Sequence, residues 1–409
     1  MKQIISSLLD NDAYKFSMGQ AIFHQYSDAW VTWTFHCRNK DVHFTKEMVE
    51  EIREQIHAYC TLEFKKDELD YLSKIKWIKK DYVNILSLYH PQFDQYTIDA
   101  NDPCGLRIEL TGPWFLTSPC ETPTLAIVNE VYYKMQYPGK EDELYAAMMQ
   151  NTDQKIADLN SEKYHIGFFS EFGMRRRLSA KAEFDMIKKF AEAAKAGKLD
   201  GSKFVGTSDV LFAKELGLTP VGTMAHEYIM AIGQGYPEFN PAYSNKRMLE
   251  SWVQEYGTQN GIALTDTIGT PAFLRDFTEK YAHLFSGVRH DSGDPYAWGE
   301  QIIKHYKSLG FTDDYIKTKT LLFSDSLDFE RATKIYDYFK DRTKVAFGIG
   351  TWLSNDCGKE PLNIVMKLTR VNDHPVAKLS DNLGKTICTD TAYIDYLQRA
   401  IAWRLGHEE

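Results

Sequence analysis

A single histidine stands in an otherwise apolar stretch, the segment VGTMAHEYIM at residues 221–230. A neutral imidazole such as that of His226 is nucleophilic at nitrogen near pH 7, so it can accept a phosphoryl group or move a proton. An interior histidine satisfied by hydrogen bonds gives the same local pattern and is the commoner case. The residues that surround His226 must therefore decide between chemistry and packing.

Polar side chains follow each of seven short apolar segments in the second half of the chain. Arg289 and Asp291 follow one segment, and arginine suits bidentate binding of a carboxylate or a phosphate. Asp291 and Asp294 on one loop suit Mg²⁺ or ribose hydroxyls, although Asp294 is equally suited to cap a helix that begins at Pro295. The other candidates at these positions are Phe172, Arg175, Thr207, Ser208, Thr223, Thr265, Asp266, Ser324, Asp325, Gly348, Gly350 and Thr351.

Two of these loops predict a negatively charged ligand. The segment GMRRRLS carries arginines at 175–177, of which at least one is expected to face the site, with Arg176 or Arg177 solvated. The segment GIGT at 348–351 lets the backbone approach a ligand, and its N–H groups can hold a phosphate. Together the loops indicate a phosphorylated ligand with a small planar partner.

The apolar segments must be the elements that position these side chains. They are HIGFFSEFG, KFVGTS, TPVGT, GIALTDT, LFSGVRHDSGD, KTLLFSDS and TKVAFGIGT, mostly with helical patterns between them. Such alternation predicts a parallel α/β arrangement, and a TIM-like barrel fits the number of strands better than an open sheet. Because the carboxyl ends of parallel strands converge on one face, we expect one site there.

The two ends of the chain predict a second lobe. The N-terminal part offers a helix in LLDNDAYKFSMGQAIFHQY and strands in WVTWTFHCR and LRIELTG, and the tail returns to short strands in NIVMKLTRV and HPVAKLS before a final helix. We therefore predict an α/β fold with an irregular (β/α) TIM-like barrel at residues 126–361. An α+β lobe at 1–125 is expected to receive a C-terminal segment, 362–409, that packs back on it.

Composition narrows the classes of function. With 48 basic and 57 acidic residues among 409, the formal charge is −9, which disfavours nonspecific binding of nucleic acid. No apolar run approaches the ~18 residues needed to span a bilayer, and the N-terminus lacks the apolar core of a signal peptide. Six scattered cysteines without CxxC spacing favour reduced thiols. We expect a soluble, cytoplasmic protein with neither nucleic-acid nor membrane partners.

Eight ordered blocks that span the chain resemble the nicotinate phosphoribosyltransferases, most closely their ATP-coupled bacterial and fungal branch. They are LLDNDAYKFSMGQAIFHQY, CETPTLAIVNE, EFGMRRRLS, FVGTSDVLFAK, PVGTMAHE, GVRHDSGDPYAWGE, LLFSDSLD and AFGIGTWLSND. The resemblance implies an irregular α/β barrel joined to a lobe built from both chain ends. It also implies that nicotinate, 5-phosphoribosyl 1-diphosphate, ATP and water give nicotinate mononucleotide, diphosphate, ADP and phosphate, with Mg²⁺ as cofactor, in NAD salvage.

The resemblance also implies roles for individual residues. His226 corresponds to a histidine that ATP phosphorylates, and Glu227 could orient its ring or face solvent. Tyr14 and Phe172 are similar to aromatics that sandwich the pyridine ring, with Tyr14 in some relatives coming from the second subunit of a homodimer. The remaining roles are Arg289 and Thr223 at the nicotinate carboxylate, Arg175 at phosphate, Gly348, Gly350 and Thr351 as a phosphate cradle, and Asp266, Asp291 and Asp325 at ribose or Mg²⁺–diphosphate.

One position separates closely related activities. Relatives that use nicotinamide carry an aspartate where this chain has Ser208, with Asp209 one residue later. A carboxylate there would repel the carboxylate of nicotinate, whereas a hydroxyl can donate to it, so Ser208 favours the acid. The alternatives are a nicotinamide or quinolinate phosphoribosyltransferase, and a non-catalytic sensor on the same fold.

Overall fold

Two sheets, one parallel and one antiparallel, organise the chain, with helices packed around both. The structure is a computed structural model that describes residues 2–161, 163–199, 201–381, 388 and 390–407. Its strands are β1 Trp30–Cys37, β2 Tyr96–Asp99, β3 Arg107–Pro113, β4 Phe168–Glu171, β5 Lys203–Thr207, β6 Thr219–Pro220, β7 Ile262–Leu264, β8 Gly287–His290, β9 Thr320–Phe323, β10 Lys344–Ile349, β11 Ile364–Val371 and β12 His374–Pro375. Its helices are α1 Ala13–Gln25, α2 Lys46–Tyr59, α3 Lys66–Leu72, α4 Lys80–Leu86, α5 Trp114–Thr117, α6 Glu121–Gln136, α7 Glu141–Asn160, α8 Ala180–Lys195, α9 Val210–Leu216, α10 His226–Gln234, α11 Ser244–Tyr256, α12 Thr270–Asp276, α13 Glu279–Leu284, α14 Pro295–Ser308, α15 Asp313–Ile316, α16 Phe329–Phe339, α17 Thr351–Ser354 and α18 Thr391–His407.

The parallel sheet contains all seven of the apolar segments that the sequence predicted as strands. Its order is β6-β5-β4-β10-β9-β8-β7, and every neighbouring pair is parallel. The first and last strands of the series, β4 and β10, are therefore adjacent, as closure into a barrel requires. The sheet curls into part of a barrel with β6 and β7 at its edges, which confirms the predicted irregular α/β barrel.

The N-terminal segment and one side chain span the region between these edges. Thr223 donates from Oγ1 to the carbonyl oxygen of Ile262 at 2.9 Å, which joins the loop after β6 to the start of β7. Residues 9–13 run beside residues 208–211, where Ala13 N–H donates to the carbonyl of Ser208 at 2.7 Å. This pairing brings the start of α1, and with it Tyr14, to the carboxyl ends of the barrel strands.

The antiparallel sheet joins strands from both ends of the chain. Its order is β12-β11-β1-β3-β2, and β11 lies against β1 with Val371 opposite Val31 and Ile364 opposite Cys37. The predicted lobe built from both termini is therefore present. The boundaries at residues 125 and 361 stay a prediction.

The final helix departs from the expectation that the C-terminal segment packs on the N-terminal lobe. The main contacts of α18 are with α12 and with the turn Pro241–Tyr243, both on the barrel side. Leu397 and Ile401 pack there with Ala242, Ile268 and Ala272. The guanidinium of Arg404 donates to both carboxylate oxygens of Asp276 at 2.5 and 3.0 Å. The expectation is wrong for α18 because its apolar stripe and its buried arginine both find partners on the barrel.

The segment predicted as a strand in HPVAKLS is mostly a strap across the barrel. Only His374–Pro375 belongs to the sheet. In the next residues, which we call the 376–381 strap, Ala377 N–H donates to Oε1 of Gln234 at 2.7 Å and Leu379 N–H donates to the carbonyl of Thr267 at 2.9 Å. The strap thus bonds to α10 and to the loop after β7, which places Lys378 beside the strand ends.

Two expectations from composition concern the surface and the thiols. Within the described ranges, no helix combines the length and the apolar character that crossing a bilayer demands. All six cysteines are free thiols.

Candidate functional site

The loops after β6, β7 and β8 bring a histidine and two aspartates together. Nε2 of His226, at the start of α10, lies 2.9 Å from Oδ2 of Asp291 and 3.7 Å from Oδ1 of Asp266. Its Nδ1 lies 2.9 Å from the hydroxyl of Thr267. One ligand atom from each of the histidine and the two aspartates falls within 4.8 Å of the others. His226 is therefore held by polar groups on both ring nitrogens at the carboxyl ends of the strands.

A lysine that the sequence analysis missed completes this cluster. Nζ of Lys378 lies 2.7 Å from Nε2 of His226, 3.2 Å from Oδ2 of Asp266 and 3.4 Å from Oδ2 of Asp291. Its side chain is only 8% exposed. The lysine is 152 residues from His226 in a segment read as a strand, so no local pattern marked it.

The electrostatics of the cluster favour a neutral imidazole beside ionised carboxylates. Burial lowers the pKa of His226, the charge of Lys378 lowers it further, and Asp266 and Asp291 only partly oppose them. Burial would raise the pKa of Asp291, but Lys378, His226 and Arg289 outweigh it and hold that pKa well below its ordinary value. A buried neutral imidazole keeps a lone pair on nitrogen, which is what a nucleophile needs.

The fit of a divalent cation to this cluster depends on the lysine. Carboxylate oxygens of Asp266 and Asp291 suit Mg²⁺, but the ammonium of Lys378 lies within 3.4 Å of both and balances their charge. The carboxylates fit the ion only if the ammonium moves away from them. Asp294 lies apart, because it is exposed and accepts from Ala297 N–H at 2.7 Å as the cap of α14.

Phe172 lies against the glycines that follow the neighbouring strand. Its N–H donates to the carbonyl of Ile349 at 2.8 Å, and a Cβ placed on Gly348 would come within 2.2 Å of its ring. The missing side chain of Gly348 therefore makes room for an aromatic ring rather than for a phosphate. Gly350 and Thr351 lie where α17 begins. For these two residues, binding of a phosphate stays a prediction.

Tyr14 and Arg175 share one carboxylate. The hydroxyl of Tyr14 lies 3.5 Å from Oε2 of Glu121, and Nη1 of Arg175 lies 3.5 Å from its Oε1. Nζ of Lys15 lies 2.7 Å from Oε2 of the same glutamate and also pairs with Glu227. Both expectations for Glu227, orientation of the imidazole or exposure to solvent, are wrong because its buried carboxylate is taken by Lys15 and by a serine hydroxyl at 2.5 Å.

The end of β5 and the loop that follows it direct their polar side chains into the interior. Ser208 donates from Oγ to Oδ1 of Asp12 at 2.5 Å, and the fully buried Thr207 donates to Oε2 of Glu171 at 2.6 Å. Asp209 caps α9 and lies 3.6 Å from Nη1 of Arg177, so its carboxylate has other partners than the hydroxyl of Ser208. A shift that would bring Asp209 into the place of Ser208 is absent from this loop.

The three successive arginines occupy different surroundings. Arg177 is fully buried and contacts Asp10 at 2.6 Å, Glu130 at 3.0 Å and Glu183 at 3.2 Å, which we call the acidic cage. The expectation that Arg176 or Arg177 is solvated is therefore wrong for Arg177, because four acidic side chains, including that of Asp209, surround its guanidinium in the interior.

The other sequence-predicted residues lie on the same face of the barrel and differ in their hydrogen-bond partners. Arg289 is half-buried, and its Nε is enclosed without a hydrogen-bond partner in the described part of the chain. Thr223 uses its hydroxyl on Ile262, as described above. Asp325 accepts from the hydroxyl of Ser326 at 3.0 Å, and Ser324 donates to Oδ1 of Asp291 at 3.1 Å.

Two family models match the chain. One, described as the nicotinate phosphoribosyltransferase (NAPRTase) family, covers residues 168–403. The other, described as the N-terminal domain of nicotinate phosphoribosyltransferase, covers residues 9–129.

Curated relatives and solved structures match the chain over nearly its full length. Nicotinate phosphoribosyltransferase of Xylella fastidiosa (strain 9a5c) is 42% identical over 404 residues, covering 98% of each chain. That of Cupriavidus necator is 42% identical over 399 residues, covering 97% of this chain and 98% of the relative. The crystal structure of nicotinate phosphoribosyltransferase from Vibrio cholerae superposes with a TM-score of 0.89 at 34% identity, covering 98% of this chain and 95% of that one. A putative nicotinate phosphoribosyltransferase from Saccharomyces cerevisiae gives 0.87 at 31% identity, covering 98% and 99%.

Proposed function

The chain belongs to the nicotinate phosphoribosyltransferase family, and on that premise we propose that it transfers a phosphoribosyl group to nicotinate. The donor is 5-phosphoribosyl 1-diphosphate, and the products are nicotinate mononucleotide and diphosphate, in the salvage of nicotinate for NAD. The observation that carries the proposal is the full-length match at 42% identity to curated enzymes of this name.

At the sugar, the protein mainly positions the pyridine and neutralises the charge of the diphosphate. Phe172 and Tyr14 hold the flat ring, and the half-buried guanidinium of Arg289 meets the carboxylate of nicotinate. The bond between C1 of the ribose and the diphosphate loosens while the pyridine nitrogen approaches from the other side. Arg175 balances charge on the departing diphosphate, so orientation and electrostatic stabilisation supply the catalysis.

At His226, the lone pair of a ring nitrogen forms a bond to the γ-phosphorus of ATP. The bond from that phosphorus to the bridging oxygen breaks, and its electron pair leaves on ADP. Water later hydrolyses the phosphohistidine, and this turnover shifts phosphoribosyl transfer towards the mononucleotide. The neutral imidazole between Thr267 and Asp291 supports this assignment.

The proposal also includes a Mg²⁺ ion, a cellular location and an oligomeric state. Mg²⁺, held by Asp291 and Asp266 once Lys378 moves away, would neutralise charge on the diphosphate. We also propose that the protein acts in the cytoplasm as a homodimer.

A panel of pyridines tests the function. The purified protein is incubated with 5-phosphoribosyl 1-diphosphate, Mg²⁺ and nicotinate, nicotinamide or quinolinate, with and without ATP, and diphosphate is measured. We expect release with nicotinate, raised by ATP. Preference for another pyridine would assign the chain to that substrate, and no release from any of the three would support a non-catalytic sensor.

A further inference from the structure

We propose that Lys378 is a further residue of the phosphorylation site, where its ammonium donates a hydrogen bond to the phosphoryl group that is transferred to His226. The inference rests on the proposed reaction of ATP with that histidine. The C-terminal part of the chain would then contribute a residue to a site that is otherwise built by the barrel loops.

The ammonium of Lys378 lies beside the imidazole in the interior of the protein. Nζ lies 2.7 Å from Nε2 of His226, within hydrogen-bond distance of the ring, and the side chain is 8% exposed. A lysine with ordinary freedom would extend its charge into water rather than bury it. Its burial here is explained by Asp266 and Asp291, which lie at 3.2 and 3.4 Å and balance the charge.

The negative charge of the cluster must be balanced when a phosphoryl group approaches the imidazole. Asp266 and Asp291 place two negative charges beside the imidazole, and an incoming phosphoryl group brings more of the same sign. This like-charge repulsion opposes phosphorylation unless a cation balances it, and Lys378 is the cation that the structure places beside both carboxylates. The ammonium of Lys378 is within hydrogen-bond distance of the ring and offers three N–H donors on a flexible stem, so it can turn from the ring to a phosphoryl oxygen.

The step requires no new reactant. A ring nitrogen of His226 forms the N–P bond, the bond between the γ-phosphorus and the bridging oxygen breaks, and ADP takes the electron pair. Lys378 donates a hydrogen bond to a phosphoryl oxygen and keeps its proton throughout. Hydrolysis then returns the imidazole and releases phosphate.

The 376–381 strap fixes this lysine independently of the cluster. Beyond the bonds of Ala377 and Leu379, Asp381 accepts from the N–H and hydroxyl of Thr270 at 2.9 and 2.6 Å. Ser380 donates to Oγ of Ser292 at 2.8 Å, and Ser292 donates to Oδ2 of Asp266 at 2.5 Å. The strap is thus anchored to the same loops that carry the aspartates, so the position of Lys378 follows from the fold.

The test compares phosphorylation with transfer that does not use ATP. Lys378→Met, Lys378→Arg and, as the matched control, the exposed Lys317→Met are prepared beside the wild-type protein. Single-turnover labelling from γ-³²P-ATP and ATP-free diphosphate release with nicotinate are measured on each. Loss of one preorganised donor predicts labelling slower by roughly 100-fold in Lys378→Met. We expect ATP-free release to fall much less than labelling in Lys378→Met, Lys378→Arg to recover part of the labelling rate, and Lys317→Met to match wild type.

Two results would overturn the role of Lys378 alone. One is labelling of Lys378→Met at the wild-type rate, and the other is a parallel loss of labelling and ATP-free release, which marks a merely structural residue. A wild-type protein that releases diphosphate from nicotinate but takes no label would instead contradict the reaction of His226 with ATP, and the role of Lys378 with it.

Discussion

Residues of the site differ in whether protein groups already use their polar atoms. The hydroxyl of Ser208 donates to Asp12. A preference of the enzyme for nicotinate therefore cannot depend on that hydroxyl as a free donor to the substrate. None of the described residues pairs with Nε of Arg289, so this half-buried guanidinium is the better candidate for the carboxylate of nicotinate. Ser208 then matters mainly because it adds no negative charge beside Asp12.

Substitution of Ser208 by aspartate tests this interpretation. Ser208→Asp would place a second buried carboxylate beside Asp12, and like-charge repulsion would penalise the nicotinate anion more than neutral nicotinamide. We expect kcat/KM for nicotinate to fall at least about tenfold more than that for nicotinamide, a difference of ~1.4 kcal/mol. Steady-state kinetics with both pyridines measure it, and Ser208→Ala is the uncharged control. Unchanged preference in the aspartate variant would remove this position from specificity.

At the scale of elements, the packing of Phe172 against Gly348 fixes the position of the aromatic ring that we propose to stack on the pyridine. The aromatic ring follows β4 and the glycine belongs to β10, the adjacent strands that bring the two ends of the barrel series together. The position of the ring therefore depends on a glycine about 175 residues away in sequence, which only the parallel pairing brings near.

A methyl group at Gly348 should displace that ring. Gly348→Ala would put Cβ within 2.2 Å of Phe172, and a ring moved by about an ångström can cost roughly 100-fold in kcat/KM for nicotinate. Labelling of His226 by ATP should persist because the cluster is separate. Gly406→Ala in α18, where nothing lies within 4 Å of an added Cβ, is the control. Retention of wild-type kinetics in Gly348→Ala would show that Phe172 does not position the pyridine.

The sequence predicted elements where periodicity and turn residues agree, and failed where distant contacts decide. All seven barrel strands and the capping role of Asp294 are local patterns, and they are present. The side on which α18 packs and the course of the 376–381 strap depend on partners far away in sequence. Lys378 and the burial of Arg177 were missed for the same reason, since a lysine or an arginine is locally typical of a solvated surface.

At the scale of the whole molecule, the acidic cage joins parts of the chain that are far apart. Arg177 contacts Asp10 in the N-terminal segment, Glu130 in α6 and Glu183 in α8, so one guanidinium links the lobe to the barrel. More carboxylates than cations meet there. The folded state is therefore expected to hold protons that the unfolded chain releases.

The pH dependence of stability follows from these raised pKa values. Burial and the charge of Glu171 raise the pKa of Glu183 well above its ordinary value, and burial raises the pKa of Glu171 to about 7. Above about pH 4.5 the unfolded carboxyls ionise while the folded ones remain protonated, so the free energy of unfolding should fall as pH rises from there through 7.

Removal of one carboxylate should reduce the fall of the unfolding free energy with rising pH. Glu183→Gln cannot ionise, so we expect its unfolding free energy relative to wild type to improve from pH 5 to pH 8, by roughly 1–3 kcal/mol. Urea unfolding at several pH values measures it, and Glu192→Gln, exposed on the same helix, is the control. Parallel pH profiles for Glu183→Gln and wild type would contradict the proton held in the cage.

The central claim is that strand ends distant in the chain converge on His226 so that its imidazole reacts with ATP. Mass spectrometric mapping of the protein after incubation with ATP, under conditions that preserve phosphohistidine, tests it most directly. We expect phosphate on His226 in the wild-type protein and none in His226→Ala. Phosphate on another residue, or equal labelling of the alanine variant, would contradict it.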